Sequence, residues 1–171
     1  SSDVCSSDLS ARPERPVAAV RGPPYDGRML RRLRIENLVL IREADLELGP
    51  GLNAITGETG VGKTILSGAI GLLLGARGDA AAIGAAAGEA YVEAEFDLTD
   101  GDALGALAEL RPEGESTLVV ARRIFADGRT RAYAWGRSAA REDVAADVEE
   151  RLAMSGQFEQ RRLGRPAYQL A

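Results

Sequence analysis

The sequence predicts an α/β fold: one strand–loop–helix unit shaped to hold phosphate, with antiparallel strands on either side of it in the chain. Three observations carry that expectation. Gly57-Glu58-Thr59-Gly60-Val61-Gly62-Lys63-Thr64 matches G-x-x-x-x-G-K-[ST], the phosphate-binding P-loop. A short apolar run precedes the loop and a helix-period pattern follows it, which is the context the motif requires. Runs that alternate apolar and charged residues stand both before and after this unit, each with one wet face.

The elements follow in order. Residues 1–28 are rich in Ser, Pro, Arg and Asp, lack periodicity and are expected to be a disordered leader. Within them residues 1–9, SSDVCSSDL, read as the in-frame translation of a common sequencing adapter. On that reading the native chain starts at Met29, and the alternative is a genuine disordered tail. From Met29, Leu33 and Ile35 alternate with Arg32 and Arg34. Ala44, Leu46 and Leu48 then alternate with Glu43, Asp45 and Glu47, so two strands are expected. Gly49-Pro50-Gly51 turns the chain into Leu52-Asn53-Ala54-Ile55-Thr56, read as a short buried strand leading into the loop.

Residues 64–74 read as a helix, with Ile65, Ala69, Leu72 and Leu73 on one face and Gly75 as its stop. The small residues over 76–90 suggest a loop with a short turn. Val92, Ala94, Phe96 and Leu98 alternate with Tyr91, Glu93, Glu95 and Asp97, the clearest strand of the chain. Residues 103–110 suggest a short amphipathic helix ended by Arg111-Pro112. Residues 118–125 and 130–135 are expected to form a hairpin around Asp127-Gly128, and 141–152 a closing helix.

Composition narrows the chemistry. The chain has 171 residues, enough for one domain with a core, and a formal net charge of −5, which argues against a general nucleic-acid-coating surface. Histidine is absent and cysteine occurs once, at Cys5. Histidine bases, cysteine metal sites and a disulfide framework are therefore excluded for this sequence. No apolar run approaches the ~18 residues of a membrane span and no signal-peptide core is visible, so a reducing cytoplasm fits best.

The loop itself is chemically specific. Lys63 is the only lysine among 21 basic residues. A lysine ammonium is a compact point charge that can thread a loop and reach phosphate oxygens, where the wider arginine fork cannot. Gly57, Glu58, Thr59, Gly60, Val61, Gly62, Lys63, Thr64 and Ile65 are the candidate nucleotide-binding residues. Their backbone N–H groups and the helix N-terminus would cradle ATP phosphates, and the Thr64 hydroxyl would face Mg2+. The bland alternative is a chance match in a glycine-rich loop, against which the strand and helix on either side weigh. Arg122, Arg123, Arg129, Arg131 and Arg137 crowd the hairpin; they could touch DNA phosphates, but ordinary solvated positions are the favoured reading. Tyr133 and Trp135, on one strand face, are expected to pack, and Glu93, Glu95 and Asp97 to be a wet face rather than a metal site.

Antiparallel strands before and after a single P-loop unit suggest the head of an ABC-type ATPase, since simple kinases and GTPases alternate strand and helix. The stretch MLRRLRIENLVLIREADLELGPGLNAITGETGVGKT resembles the start of the bacterial RecN recombination and repair proteins, members of the SMC group of ABC-type ATPases. The likeness continues through GAIGLLLGARGDA, AEFDL, ARRIFADGRTRAYAWGR and SGQFEQRRLGRPAYQLA, and so covers essentially all of residues 29–171. Glu58-Thr59-Gly60, Asp127-Gly128-Arg129 and Gly156-Gln157 are what narrow it.

The resemblance implies a P-loop NTPase of ABC/SMC head type: a central sheet with an antiparallel β lobe. It further implies that 29–171 is the N-terminal part of a head, cut before a coiled coil. Two heads of a homodimer would sandwich ATP, and the full-length protein would hold DNA ends during double-strand-break repair, at the bacterial nucleoid. It places Gln157 in the Q-loop, where a side-chain oxygen would ligate Mg2+ or orient water beside the catalytic Lys63. Met154-Ser155-Gly156-Gln157 also has the look of a signature-motif tail, but Gly164-Arg165-Pro166 breaks the helix a signature needs, and a plain surface glutamine is the remaining alternative. After Thr64 no run of four apolar residues ends in Asp-Glu, no complete LSGGQ occurs, and no heptad stretch appears. ATP hydrolysis is thus expected of the dimerised full-length protein and not of this chain alone. A stand-alone P-loop kinase or hydrolase and a transporter nucleotide-binding subunit are the competing readings, with a non-enzymatic interaction module whose P-loop only stabilises the fold as the blandest. The first would need its own Walker B acid and lid, the second an aromatic residue ahead of the P-loop, and 29–56 holds none.

Overall fold

A computed structural model describes residues 29–56 and 60–153. The expectations placed on 1–28, on Gly57, Glu58 and Thr59, and on 154–171, Gln157 among them, lie outside the described residues.

Alternation becomes one antiparallel sheet. Its strands are β1 (Leu30–Leu38), β2 (Ile41–Glu47), β3 (Glu89–Asp97), β4 (Thr117–Phe125), β5 (Thr130–Ala134) and β6 (Arg137–Ala139). They lie in the order β2-β1-β3-β4-β5-β6, every pair antiparallel. The register Ile35↔Val92 and Val92↔Arg122 lines up the inward residues of three strands. Because side chains alternate across a strand, Leu33, Ile35, Ala90, Val92, Ala94, Phe96, Leu118, Val120, Ile124, Ala132 and Ala134 all reach the buried face. Their charged neighbours form the wet face and pair across it: Arg31 with Asp97 at 3.3 Å, Arg32 with Asp45 and, at 3.6 Å, with Glu95, and Arg123 with Glu89 at 3.3 Å. The carboxylates of β3 are thereby spent on arginines and a tyrosine, Tyr91 donating to Glu93.

Two helices cover the buried face. α1 (Gly60–Leu73) sets Ile65, Ala69, Leu72 and Leu73 against the sheet, the face its spacing predicts, and begins one turn earlier than expected. It ends in a Schellman motif: Gly75, at φ +87°, donates to Leu72 O at 3.1 Å and Ala76 to Gly71 O at 2.9 Å. α2 (Arg141–Arg151) buries Val144 and Val148. Its Asp147 and Arg151 form a buried ion pair at 2.8 Å, and Arg151 also donates to the Asp147 and Ala103 carbonyls. Leu107, in the 3₁₀ helix 105–110, and Leu104 just before it complete the core; the short amphipathic helix expected over 103–110 is present as this tighter form, which its left-handed Gly105 and short length suit.

Two further differences have physical causes. Residues 52–56 form no strand, and Leu52 is 86 % exposed. A strand exists only through a paired neighbour, and here the chain instead folds Asn53 back onto Gly49 N (3.0 Å) and Gly49 O (2.7 Å). β6 was not expected: three residues are too few to show a period, and its pairing is created by the turn at Trp135 and Gly136, both left-handed.

Candidate nucleotide-binding site

The P-loop helix is anchored at its C-terminal end. Gly60, Val61, Gly62, Lys63 and Thr64 open α1, and a helix's first N–H groups, here those of Gly60 to Gly62, have no partner within the helix. The first turn of α1 itself carries no acidic residue to oppose an anion at the positive end of the helix dipole. Lys63 and Thr64 are exposed there, while Ile65, next in sequence, is buried and fastens the turn to the core. A side chain on Gly62 would meet nothing within 4 Å, leaving room for phosphate oxygens to approach the backbone. The structure thus brings Gly60 through Ile65 together within the first two turns of α1.

Held from the far end, α1 has little freedom to slide. Arg122, expected to be a solvated surface residue, is only 2 % exposed. Its Nη1 donates to Leu72 O at 3.0 Å, and its Nη2 to the Thr130 hydroxyl at 3.4 Å. Burial lowers its pKa, Arg141 nearby acts in the same direction, and Glu142 opposes. The signal was present in the sequence: Leu118, Val120, Arg122 and Ile124 share one strand parity, which turns Arg122 inward. The other hairpin arginines are as expected outside the core. Arg123 lies over the Tyr91 and Tyr133 rings, 5.1 Å and 5.8 Å from their centres. Arg129 pairs with Asp127 at 2.6 Å, and Arg131 and Arg137 are exposed. Trp135 packs against the core and donates its indole N–H to Thr117 O at 2.8 Å, a packing role as expected.

The turn between β1 and β2 was passed over in the sequence. Val39 sits there at φ +53°, a left-handed conformation that a β-branched side chain resists. Val39 N donates to Ala82 O at 2.7 Å and Gly84 N to Asn37 O at 2.8 Å, so the turn is tied to the loop that follows α1. Between turn, loop and α1 lies an apolar cavity of about 800 Å³ whose lining includes Val39, Thr64 and Ile65. Among the described residues no helix is long and apolar enough to cross a membrane, and no group of three or more acidic or cysteine side chains could hold a metal ion.

Comparison with known proteins agrees with this geometry. A family model described as an AAA domain matches residues 32–155. The chain is 39 % identical over 152 residues to the DNA repair protein RecN of Mycobacterium leprae (strain TN), covering 84 % of this chain and 26 % of that protein. It is 35 % identical over 131 residues to the RecN of Aquifex aeolicus (strain VF5), covering 77 % and 21 %. The chain therefore spans about a quarter of the length of the curated relatives it matches. Among solved structures, it is similar to an SMC ATPase studied for ATP-driven dimerization and DNA-stimulated activation (TM-score 0.56, 24 % identity, 70 % of this chain and 77 % of that one). It is also similar to an SMC head bound to the C-winged helix domain of ScpA (TM-score 0.58, 21 % identity, 73 % and 41 %). At these identities the likeness shows the fold, that of the SMC-type ATPase head.

Proposed function

Since the chain belongs to the AAA domain family and is of the RecN type, we propose that it is the N-terminal part of a DNA-repair ATPase head and that residues 57–65 bind Mg-ATP. The observation that carries the proposal is that the second half of the P-loop motif, from Gly60, forms the first turn of α1, a turn that carries no acidic residue. Backbone N–H groups of Gly60 to Thr64 point along the helix axis toward an anion, and the helix dipole adds to their attraction. Lys63 supplies a compact positive charge for the β- and γ-phosphates, and Thr64 a hydroxyl for the cation that accompanies them. Mg2+, when bound, neutralises phosphate charge between these groups.

Gln157 is the second catalytic candidate. Its side-chain oxygen would face the same cation and the attacking water, and so report the γ-phosphate to the rest of the head. In the longer protein a second copy of the head would cover the open face of the nucleotide, and DNA would be held by the assembled pair in the bacterial cytoplasm, at the nucleoid. The names of the relatives and the SMC-type fold support this reading over a stand-alone kinase or a transporter subunit. The domain division, with residues 1–28 a non-native leader and 29–171 a head segment preceding a coiled coil, belongs to the same proposal.

Calorimetric titration with Mg-ATP tests it. Lys63→Ala should remove binding, a loss on the order of 2–5 kcal/mol for a charged contact to phosphate, while circular dichroism stays unchanged. Lys63→Arg should fail as well, because the fork is too wide for the loop. Affinity unchanged within about twofold in Lys63→Ala would remove the P-loop from the argument.

A further inference from the structure

Two charged rows on the wet face of the sheet alternate in sign, and a third does not. Side chains directly opposite on neighbouring strands are close enough to interact, and like charges there are destabilising. Asp45, Arg34 and Glu93 alternate across β2, β1 and β3, and so do Glu47, Arg32 and Glu95. The exception runs across five strands. Glu43 on β2 stands opposite Glu36 on β1, Glu36 opposite Tyr91 on β3, Tyr91 opposite Arg123 on β4, and Arg123 opposite Arg131 on β5. The row therefore reads acid, acid, tyrosine, base, base.

Its like-charge pairs are only partly relieved inside the molecule. Glu36 pairs with Arg34 at 2.5 Å and Arg123 with Glu89 at 3.3 Å. The outer members, Glu43 and Arg131, are exposed and form no ion pair among the described residues. The Tyr91 and Tyr133 rings hold the Arg123 guanidinium in place. An ordinary solvated face would leave like charges anywhere. Here the two signs are sorted to opposite ends of one row, each outer charge two strands from Tyr91, about 10 Å.

That arrangement fits a twofold axis. A twofold rotation about a line parallel to β3 and above Tyr91 exchanges the two ends of the row. It sets β2 over β5 and β1 over β4 of a second copy, with the facing sheets about 10 Å apart. We propose that two copies of this chain associate through this face, with Glu43 against Arg131 of the partner subunit, Glu36 against Arg123 of the partner subunit, and Tyr91 at the axis. Like-charge neighbours within each copy then gain opposite charges across the pair. Glu93 and Glu95, which follow Tyr91 on β3, keep their own partners, Tyr91 and Arg32. The carboxylates of Glu36, Glu43, Glu89 and Glu93 on the same face disfavour a nucleic-acid occupant. A single row is small beside the ~800 Å² per partner that a stable complex buries, so the association is weak and salt-sensitive. It uses neither α1 nor the P-loop, and holds whether or not residues 57–65 bind nucleotide.

The experiment is sedimentation equilibrium of the full chain without nucleotide. The parent should dimerise as concentration rises, and raising salt from about 50 to 500 mM should weaken the dimer about tenfold. Glu43→Arg and Arg131→Glu each turn a like-charge pair within the sheet into an opposite one, so each should unfold at the same urea concentration as the parent or a higher one. Each should nonetheless weaken self-association about tenfold or more, because twofold symmetry puts the repulsive contact into the dimer twice. Mixing the two variants should restore pairing to within about threefold of the parent, since both outer contacts of the mixed dimer again join opposite charges. A parent that stays monomeric to about 1 mM, or a dimer indifferent to both substitutions, overturns the inference. So does a mixture that pairs no better than its components. If Arg131→Glu instead lowers affinity for a DNA duplex and leaves sedimentation unchanged, the basic end of the row serves a polyanion and the inference falls.

Discussion

The Arg122 guanidinium donates to the Leu72 carbonyl at 3.0 Å, so β4 grips the last turn of the helix whose first turn carries Lys63. Leu72 O also accepts from Gly75 N, and the helix supplies no basic residue of its own in that turn. A cation at a helix C-terminus is favoured by the dipole, and here it arrives from fifty residues away along the chain. No ion pair to a carboxylate offsets the burial of Arg122 among the described residues, and its Nε has no partner. The helix end is therefore its principal compensation.

Arg122→Met is accordingly expected to destabilise the fold by about 1–3 kcal/mol, the loss of a charged hydrogen bond partly offset by the relief of a buried charge. Arg122→Glu should be much worse, since a carboxylate would face the negative end of α1. Urea unfolding of the two variants checks the order; equal stability in both would show that the guanidinium does not hold the helix.

Gly75→Ala should cost about 1–3 kcal/mol. The new methyl would stand 2.9 Å from Ala145 Cβ on α2, at a backbone angle of +87° that disfavours any side chain. A lowered unfolding midpoint with an unchanged slope is the expected signature, and an unchanged midpoint would refute the close approach of α1 and α2.

Arg151→Ala should be costlier, on the order of 3–5 kcal/mol, because it leaves the Asp147 carboxylate buried and unpaired. The pH dependence follows from the direction of the shift. Burial already raises the Asp147 pKa, against the lowering effect of Arg151. Removing Arg151 raises it further, so the folded-state value lies above the unfolded one. Such a group favours folding below the unfolded pKa, and that contribution is lost as pH rises through the folded pKa. The variant should thus recover part of its deficit on acidification from neutral toward the ordinary Asp range. Unfolding curves across that window test it; a deficit constant with pH would contradict it.

Phosphate release by the purified chain should be negligible even where Mg-ATP binds. No Walker B carboxylate follows Thr64 in its sequence to polarise water, and electrostatic stabilisation of that kind accounts for several kcal/mol of barrier, about tenfold in rate per 1.4 kcal/mol. In the longer protein, Gln157→Ala should lower turnover and leave ATP affinity nearly intact. Robust release by this chain, abolished in Lys63→Ala, would point to a complete active site within it.

Much of this architecture was legible because local chain geometry writes itself into sequence. Inward residues of β1, β3, β4 and β5 recur every second position and those of α1 at helical spacing, since each period is a property of the element alone. The P-loop motif is a local signal for a similar reason: its glycines, lysine and threonine fall within one short stretch of chain. Gly75 and the Asp127-Gly128 turn announced themselves through backbone needs that few residues meet; Gly128 is at φ +83°.

What remained hidden depends on partners distant in sequence. Residues 52–56 carry a strand-like composition, yet a strand requires a neighbour's hydrogen bonds, and none is offered to them within the described residues. Arg122 occupies a position whose parity is inward, but whether a guanidinium can be buried there depends on the Leu72 carbonyl arriving at its tip. Val39 is an ordinary turn residue until Ala82 accepts its N–H and holds it left-handed over an apolar cavity. The sequence by itself determined the periods and the turns and carried the P-loop motif, because those are short-range consequences of residue type. Tertiary structure alone decided which charge was buried, which strand went unpaired and where the cavity lay, because each of these depends on hydrogen bonds and packing between segments that meet only when the chain folds.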